Sequence, residues 1–248
     1  NVLTANAGAA PIFTLTVGAD GSYSFALQGP LDHPQPGSTD DDQLLNQPID
    51  FSGILTATDG DNDPVGAFGV GSFVINVEDD VPVLAVGRGE QGTPRVFNQV
   101  DEDELAGGIT DGDATGTTAS GAAGTLSVLV NFGADGPGSF GLSGNTASLT
   151  DQHLSSGGVA LTYSVVGNVL TASAGATPIF TLTVGADGSY SFALLGPLDH
   201  PQPGSTDDNQ LLNQPIDFSG VLTATDGDND PVGAFGTGSF VINVEDDV

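Results

Sequence analysis

Apolar and polar residues alternate along most of this chain, and apolar residues never recur at helical spacing. Phe13, Leu15 and Val17 fall on one face of a strand predicted over Ile12 to Val17. Ala19-Asp20-Gly21-Ser22 follows as a hairpin turn, because Asp-Gly tolerates positive φ. Tyr23, Phe25 and Leu27 line the return strand, and Val2 to Ala5 predicts a shorter strand before the hairpin. A loop rich in Pro and Asp runs from Gly29 to Gln47. Ile49 to Asp59 then reads as one strand, spanning roughly 36 Å at about 3.3 Å per residue. Phe73, Ile75 and Val77 mark a last strand that runs into Glu78-Asp79-Asp80. Further on, strands are predicted at Val83 to Val86, Arg95 to Val100, Leu126 to Phe132 and Ala160 to Val166. Weaker ones fall at Phe140-Leu142 and Ala147-Leu149, and Gly107 to Gly124 reads as a long surface loop. Val166-Gly167-Asn168-Val169 has the form of a tight hairpin turn. No helix is predicted, and the fold class is all-β.

The same pattern occurs twice. Residues 1–81 align without gaps to 168–248 and differ at six positions: Asn6/Ser173, Ala10/Thr177, Gln28/Leu195, Asp42/Asn209, Ile54/Val221 and Val70/Thr237. The offset places Asn1 inside the counterpart of the 166–169 turn, so Val2 to Ala5 is expected to lack a neighbouring strand. Two divisions fit. One gives three β-sandwich modules, 1–81, 82–167 and 168–248; the other makes 82–248 a single larger β-unit. The apolar content of 1–81 suffices for a core of its own, which favours three modules. Near-identical copies in series suit stalks and multivalent binders better than enzymes, so no catalytic role is expected.

Composition narrows the function. The chain has 248 residues, two Lys plus Arg and 32 Asp plus Glu, for a formal charge of -30. Nucleic acid is excluded as a partner because its phosphates would be repelled, and anionic membrane surfaces are disfavoured likewise. Cys, Met and Trp are absent, so no disulfide framework exists and a metal is the expected substitute cross-link. No apolar run is long enough to span a bilayer, and no signal-peptide pattern opens at Asn1, which is expected to be a boundary within a longer protein.

The acids cluster in short runs at segment ends. Asp59, Asp61 and Asp63 alternate in Asp-Gly-Asp-Asn-Asp-Pro and recur as Asp226, Asp228 and Asp230. Alternating carboxylates on a turning backbone can converge on one centre, and Ca²⁺ accepts six to eight oxygens at flexible geometry. An EF-hand is not expected, since its sixth position is Pro64 rather than Gly and its twelfth Val70 rather than Glu. Glu78, Asp79 and Asp80, with their copies Glu245, Asp246 and Asp247, sit where one module hands over to the next. They are candidates for an interdomain Ca²⁺ site, or plain linker charge. Asp101, Glu102 and Asp103 are placed to complete either kind of site. Asp111 and Asp113 lie in a Gly-rich loop and are weaker candidates. Asp20, Asp187 and Asp135 read as turn formers, and Asp40-Asp41-Asp42, which becomes Asp207-Asp208-Asn209, as a solvated run. His33, His200 and His153, with no Cys, make a poor zinc set and read as loop-packing residues. Carboxylate pairs suit a glycosidase, but no Trp platform accompanies them, and no strand-turn-helix elbow exists to hold a Ser-His triad.

Five motifs occur in a telling order: Val100-Asp101-Glu102-Asp103, Phe132-Gly133-Ala134-Asp135-Gly136, Pro197-Leu198-Asp199-His200-Pro201, Thr223-Ala224-Thr225-Asp226-Gly227-Asp228 and Val244-Glu245-Asp246-Asp247-Val248. The series resembles the tandem extender repeats of giant bacterial adhesins exported by type I secretion, the RTX or biofilm-associated adhesins. The resemblance covers nearly all of 82–248 and, as its copy, 1–81. It implies Ig-like, cadherin-like β-sandwiches joined by Ca²⁺-binding acidic linkers, on the surface of a Gram-negative cell. It further implies a monomeric chain whose partners are calcium ions and neighbouring repeats, holding distal adhesive domains away from the cell. The Gly-Gly-x-Gly-x-Asp nonapeptide of the secretion signal is absent, so the expected segment is a repeat region. The competing expectation is a module that itself binds a glycan or protein, which would show a concave aromatic patch beyond its core.

Overall fold

The structure, a computed structural model, describes residues 1–33, 43–86, 92–109, 115–201, 210–212 and 214–247. The protein is all-β, built of several sheets with sandwich character. It divides into two compact units, Asn1–Val81 with Gly133–Gly136, and Pro82–Phe132 with Pro137–Val248. Among the described residues no helix is long and apolar enough to cross a membrane.

The first unit contains β1 (Val2–Ala7), β2 (Ala10–Val17), β3 (Tyr23–Leu27), β4 (Ile49–Asp50) and β5 (Val74–Ile75). β1, β2 and β3 form an antiparallel sheet in chain order, and β4 pairs with β5. The β2–β3 turn is set locally. Asp20 Oδ1 accepts from the Ser22 N–H and hydroxyl, at 3.0 and 2.6 Å, and Gly21 takes φ of 83°. Phe13, Leu15 and Phe51 are buried between these sheets, with Phe25 and Phe73 partly covered beside them.

The second unit holds β6 (Val83–Leu84), β7 (Val96–Asp101), β8 (Thr118–Gly121), β9 (Val130–Asn131) and β10 (Pro137–Leu142). A short helix α1 (Ala147–Thr150) follows, then β11 (Ser155–Ser156), β12 (Val159–Val166), β13 (Val169–Ala174), β14 (Thr177–Val184) and β15 (Tyr190–Leu194). The chain ends in β16 (Ile216–Asp217), β17 (Leu222–Asp226) and β18 (Phe240–Glu245). Six strands form one sheet in the order β11-β12-β13-β14-β15-β8. Opposite it lie β16-β18-β7, with β18 parallel to β7, and the pair β10-β17. Strands from 82–167 and from 168–248 thus share sheets and a single buried cluster, centred on Phe180, Phe192, Phe218 and Phe240. Their rings meet at centroid distances of 5.3 to 6.0 Å.

Several predicted elements differ. The strand predicted over Ile49 to Asp59 is interrupted by a 3-10 turn at Ser52–Ile54. Asp50 Oδ1 draws in the Ser52 N–H at 2.8 Å, while the Ser52 hydroxyl accepts from Phe73 N–H at 2.9 Å. The bend recurs at Ser219–Val221 with the same bonds. Leu126–Leu129 is a 3-10 turn rather than the start of a strand, led in by Gly124 at φ 81°. Ala147–Thr150 is helical, its first N–H groups met in part by Asn145 Oδ1. In the predicted loop, Thr118–Gly121 is a strand. A Cβ on Gly121 would come 2.4 Å from the Tyr190 ring, so only a small residue fits there. That need is invisible to hydrophobic alternation.

Phe13 and Phe180 are the same residue in two settings. Phe180→Ala is expected to cost about 3–5 kcal/mol, because its neighbours Phe192 and Phe218 are fully enclosed. Phe13→Ala should cost distinctly less, since Phe25 and Phe73 beside it already reach solvent. Denaturant-dependent hydrogen exchange resolved by residue measures both, and equal costs would contradict this account of the packing.

Candidate cation-binding clusters

β17 ends at Asp226, and Asp226-Gly-Asp-Asn-Asp-Pro231 turns back on it. Asp226 N–H donates to Asp230 O at 3.0 Å, Asp230 N–H donates to Asp226 Oδ1 at 2.8 Å, and Asn229 takes φ of 80°. Asp226 and Asp230 are buried. Strand β10 runs alongside, with Pro137 opposite Asp226 in the ladder. Asp226 Oδ2 and both oxygens of Asp228 are shielded from solvent and have no hydrogen-bond partner among the described residues. Burial, then the Asp228 and Asp230 carboxylates, push the Asp226 carboxyl up to about 7, against the pull of the Asp230 N–H. The one Arg among the described residues, Arg95, stacks over Phe97 at 5.5 Å.

The first copy of this loop has the same local form. Asp59 N–H donates to Asp63 O at 3.0 Å, Asp63 N–H donates to Asp59 Oδ1 at 2.9 Å, and Asn62 takes φ of 73°. Asp59, Asp61 and Asp63 can bring one oxygen each within 4.8 Å of the others, but all three are exposed. Hydrogen bonds from Asp61 and Asp63 hold the Asp59 carboxyl below its usual range. The six-residue sequence therefore shapes the loop, and its surroundings decide whether the charge is desolvated.

A second cluster forms where β7 and β18 end side by side. Their parallel register sets Asp101 against Glu245, and Asp101, Glu102, Asp103 and Glu245 are all buried. Glu102 Oε1 accepts from Leu198 N–H at 2.7 Å, Glu245 Oε2 from Gln99 Nε2 at 2.6 Å, and Asp247 Oδ1 from Ile109 N–H at 3.0 Å. His200 Nδ1 lies 3.3 Å from Asp246 Oδ1 and 3.9 Å from Glu102 Oε1, and Nε2 lies 3.2 Å from Val244 O. Glu102, Asp246 and His200 can bring one atom each within 4.8 Å of the others. Burial, then the charges of Asp246, Asp247 and Asp101, push the Glu102 carboxyl up to about 8 despite the Leu198 bond.

In the first copy, Glu78 and Asp80 are exposed, while buried Asp79 pairs with His33 at 3.1 Å. Asp80 Oδ2 accepts from Ala134 N–H at 2.7 Å. His33 and His200, two of the three histidines read as loop-packing residues, are buried against the backbone carbonyls of Val77 and Val244, and each also faces a carboxylate; the recurrence of Leu-Asp-His-Pro was the available signal for that second contact. Asp20 and Asp187 hold their turns through Ser22 and Ser189. Asp40, Asp41, Asp42, Asp111, Asp113, Asp207, Asp208 and Asn209 lie outside the described residues.

Both raised groups bind a proton more tightly in the folded protein than in the unfolded chain. Folded protein then carries extra protons from about pH 4 to 7 for Asp226 and from about 4.5 to 8 for Glu102, so stability falls as pH rises through those ranges. In chelator, the melting temperature of the second unit should drop between about pH 5 and 8. Asp226→Asn should flatten the lower part of that slope, and Asp59→Asn should leave it unchanged. A melting temperature that climbs over this range would overturn the assignment.

Residues 98–234 match a sequence family described as a domain of unknown function (DUF5801). Searches among curated proteins and among solved structures return no match. The matched stretch runs across residue 167, as the second unit does, and includes Asp101 to Asp103, His200 and the Asp226–Asp230 loop. Because it spans more than half of the 248 residues, the chain belongs to the DUF5801 family.

Proposed function

We propose that this chain is a calcium-stiffened structural repeat of a large bacterial cell-surface adhesin. Its work would be to extend and hold distal ligand-binding domains outside the cell, with no catalysis. The observation that carries the reading is the Asp226 corner. A buried carboxylate oxygen without a donor, beside a second carboxylate whose oxygens are both shielded, is costly unless a cation or a proton neutralises it. With two Lys plus Arg in the whole chain, a hard divalent cation is the natural neutraliser. Asp226, Asp228 and Asp230 would supply its oxygens. Glu102 and Asp246 would supply a second set, with His200 positioning Asp246 and with Asp101, Asp103, Glu245 and Asp247 adding charge around it. Ca²⁺ suits such irregular oxygen sets better than Mg²⁺, which demands a tight octahedron and dehydrates reluctantly. The acidic motif series, the absence of Cys and the near-identical tandem copies agree with an extracellular, type I-secreted repeat.

Ca²⁺ should raise the melting temperature of the second unit well above its value in chelator. One site filled at a hundred times its dissociation constant adds about 2.7 kcal/mol. Asp226→Asn combined with Asp228→Asn should leave the unit folded in chelator and remove that site's share of the gain, leaving the share of the Glu102–Asp246 set. An identical transition with and without Ca²⁺ would refute the calcium reading. A mechanical role has its own test: in single-molecule pulling, the force that unfolds the second unit should be higher in Ca²⁺ than in chelator. If Ca²⁺ binds but leaves that force unchanged, the extender role fails while the metal sites stand.

A further inference from the structure

Residues 1–81 and 168–248 differ at six positions, yet they are covered very differently. Tyr190 is 5% exposed and Leu194 3%, whereas their counterparts Tyr23 and Leu27 are 62% and 47% exposed. Val221 is fully buried and Ile54 is 61% exposed. Local sequence cannot cause this. In the second unit β8 pairs with the outer side of β15, β12 with the outer side of β13, and β10 with β17. Among the described residues, β1 and β3 of the first unit are both edges of their sheet, with one row of backbone groups outside any ladder.

The uncovered face has a defined shape. A cleft of about 530 Å³ in the first unit is lined by Asn1, Ala19, Gly21, Thr56 and Ala57 among others. The counterparts of those five residues in the second unit hold one segment, β10. Phe140 N–H donates to Ala186 O at 3.0 Å, and Asn168 Nδ2 donates to Phe140 O at 3.5 Å. Phe140 lies opposite Ala224 and Gly141 opposite Thr223 in the ladder. A Cβ on Gly188 would touch the Phe140 ring at 3.1 Å. The cleft is thus the seat that Phe140 and its strand occupy in the other copy.

We infer that the cleft and the two free sheet edges of the first unit form a docking site for a second copy of residues 115–166, seated as the first copy is in the second unit. The occupant is specified by the template: β8 completes the edge at Tyr23–Leu27, β12 the edge at Val2–Ala7, and β10 fills the cleft through Phe140. The site does not depend on calcium.

The experiment titrates the full chain with a 115–166 peptide and, separately, with the same peptide carrying Phe140→Asp. Expected are one peptide per chain, slowed amide exchange across Val2–Ala7 and Tyr23–Leu27, and at least tenfold weaker binding of the Phe140→Asp peptide. Joining residues 115–167 directly ahead of Asn1 should give the same protection within one chain, an arm that stands even if the free peptide self-associates. The inference is overturned if neither arm protects Tyr23–Leu27, if protection changes only within 168–248, or if the Phe140→Asp peptide binds equally well.

Discussion

Edge pairing is the constraint on which this protein rests. The hairpin sheet of residues 169–194 has an aromatic inner face and two open sides. It becomes a closed core only because β12 and β8 take those sides, while β10 and β7 complete the opposing layer. Burial of Phe180, Phe192, Phe218 and Phe240 follows from those pairings, since a lone hairpin face of this size cannot exclude water from itself. The 82–167 stretch is accordingly poor in large apolar residues along β8, whose Thr-Ala-Ser-Gly contributes backbone bonds and clearance for Tyr190.

The same closure creates the electrostatic demand. Strand β10 pairs with β17 so that Pro137 lies opposite buried Asp226, and the parallel approach of β7 to β18 packs four buried carboxylates at one end. Completing the apolar core therefore desolvates acids that the sequence supplies with almost no basic partners. In the copy where that cover is missing, the Asp59 loop keeps its local hydrogen bonds and stays in water. Core formation and carboxylate burial are two results of one packing event.

What could be read from sequence divides along the same line. The β2–β3 and β14–β15 hairpins, their Asp-Gly turns and the acidic loop were legible because alternation and Asx chemistry act within a few residues. The 3-10 turns at Ser52 and Ser219 were hidden because a single side-chain bond from Asp50 or Asp217 overrides a continuous apolar run. β8 was hidden because its reason for existing is Tyr190, dozens of residues away. The candidate ligands were legible by type and clustering. Their grouping was not, since it takes the β7–β18 register to set Asp101 to Asp103 beside Glu245 to Asp247, and His200 to join them.

The parallel ladder between β7 and β18 carries a consequence for the unfolded chain. Phe-Val-Ile-Asn-Val-Glu occurs twice, at Phe73–Glu78 and at Phe240–Glu245, and β7 begins at Val96. The native partner, opening at Phe240, lies 144 positions downstream of Val96 (240 minus 96); an identical hexapeptide opening at Phe73 lies only 23 upstream (96 minus 73). Chain-closure entropy favours the nearer copy by about 1.6 kcal/mol. Early in folding β7 thus meets an identical decoy before its true partner exists in contact range, and nothing in the hexapeptide tells them apart. Discrimination falls to the contacts that only the distant copy gains, in β12, β10 and β8 around the Phe180 cluster. Fidelity between neighbouring repeats is therefore decided late in folding, by the closing of the core.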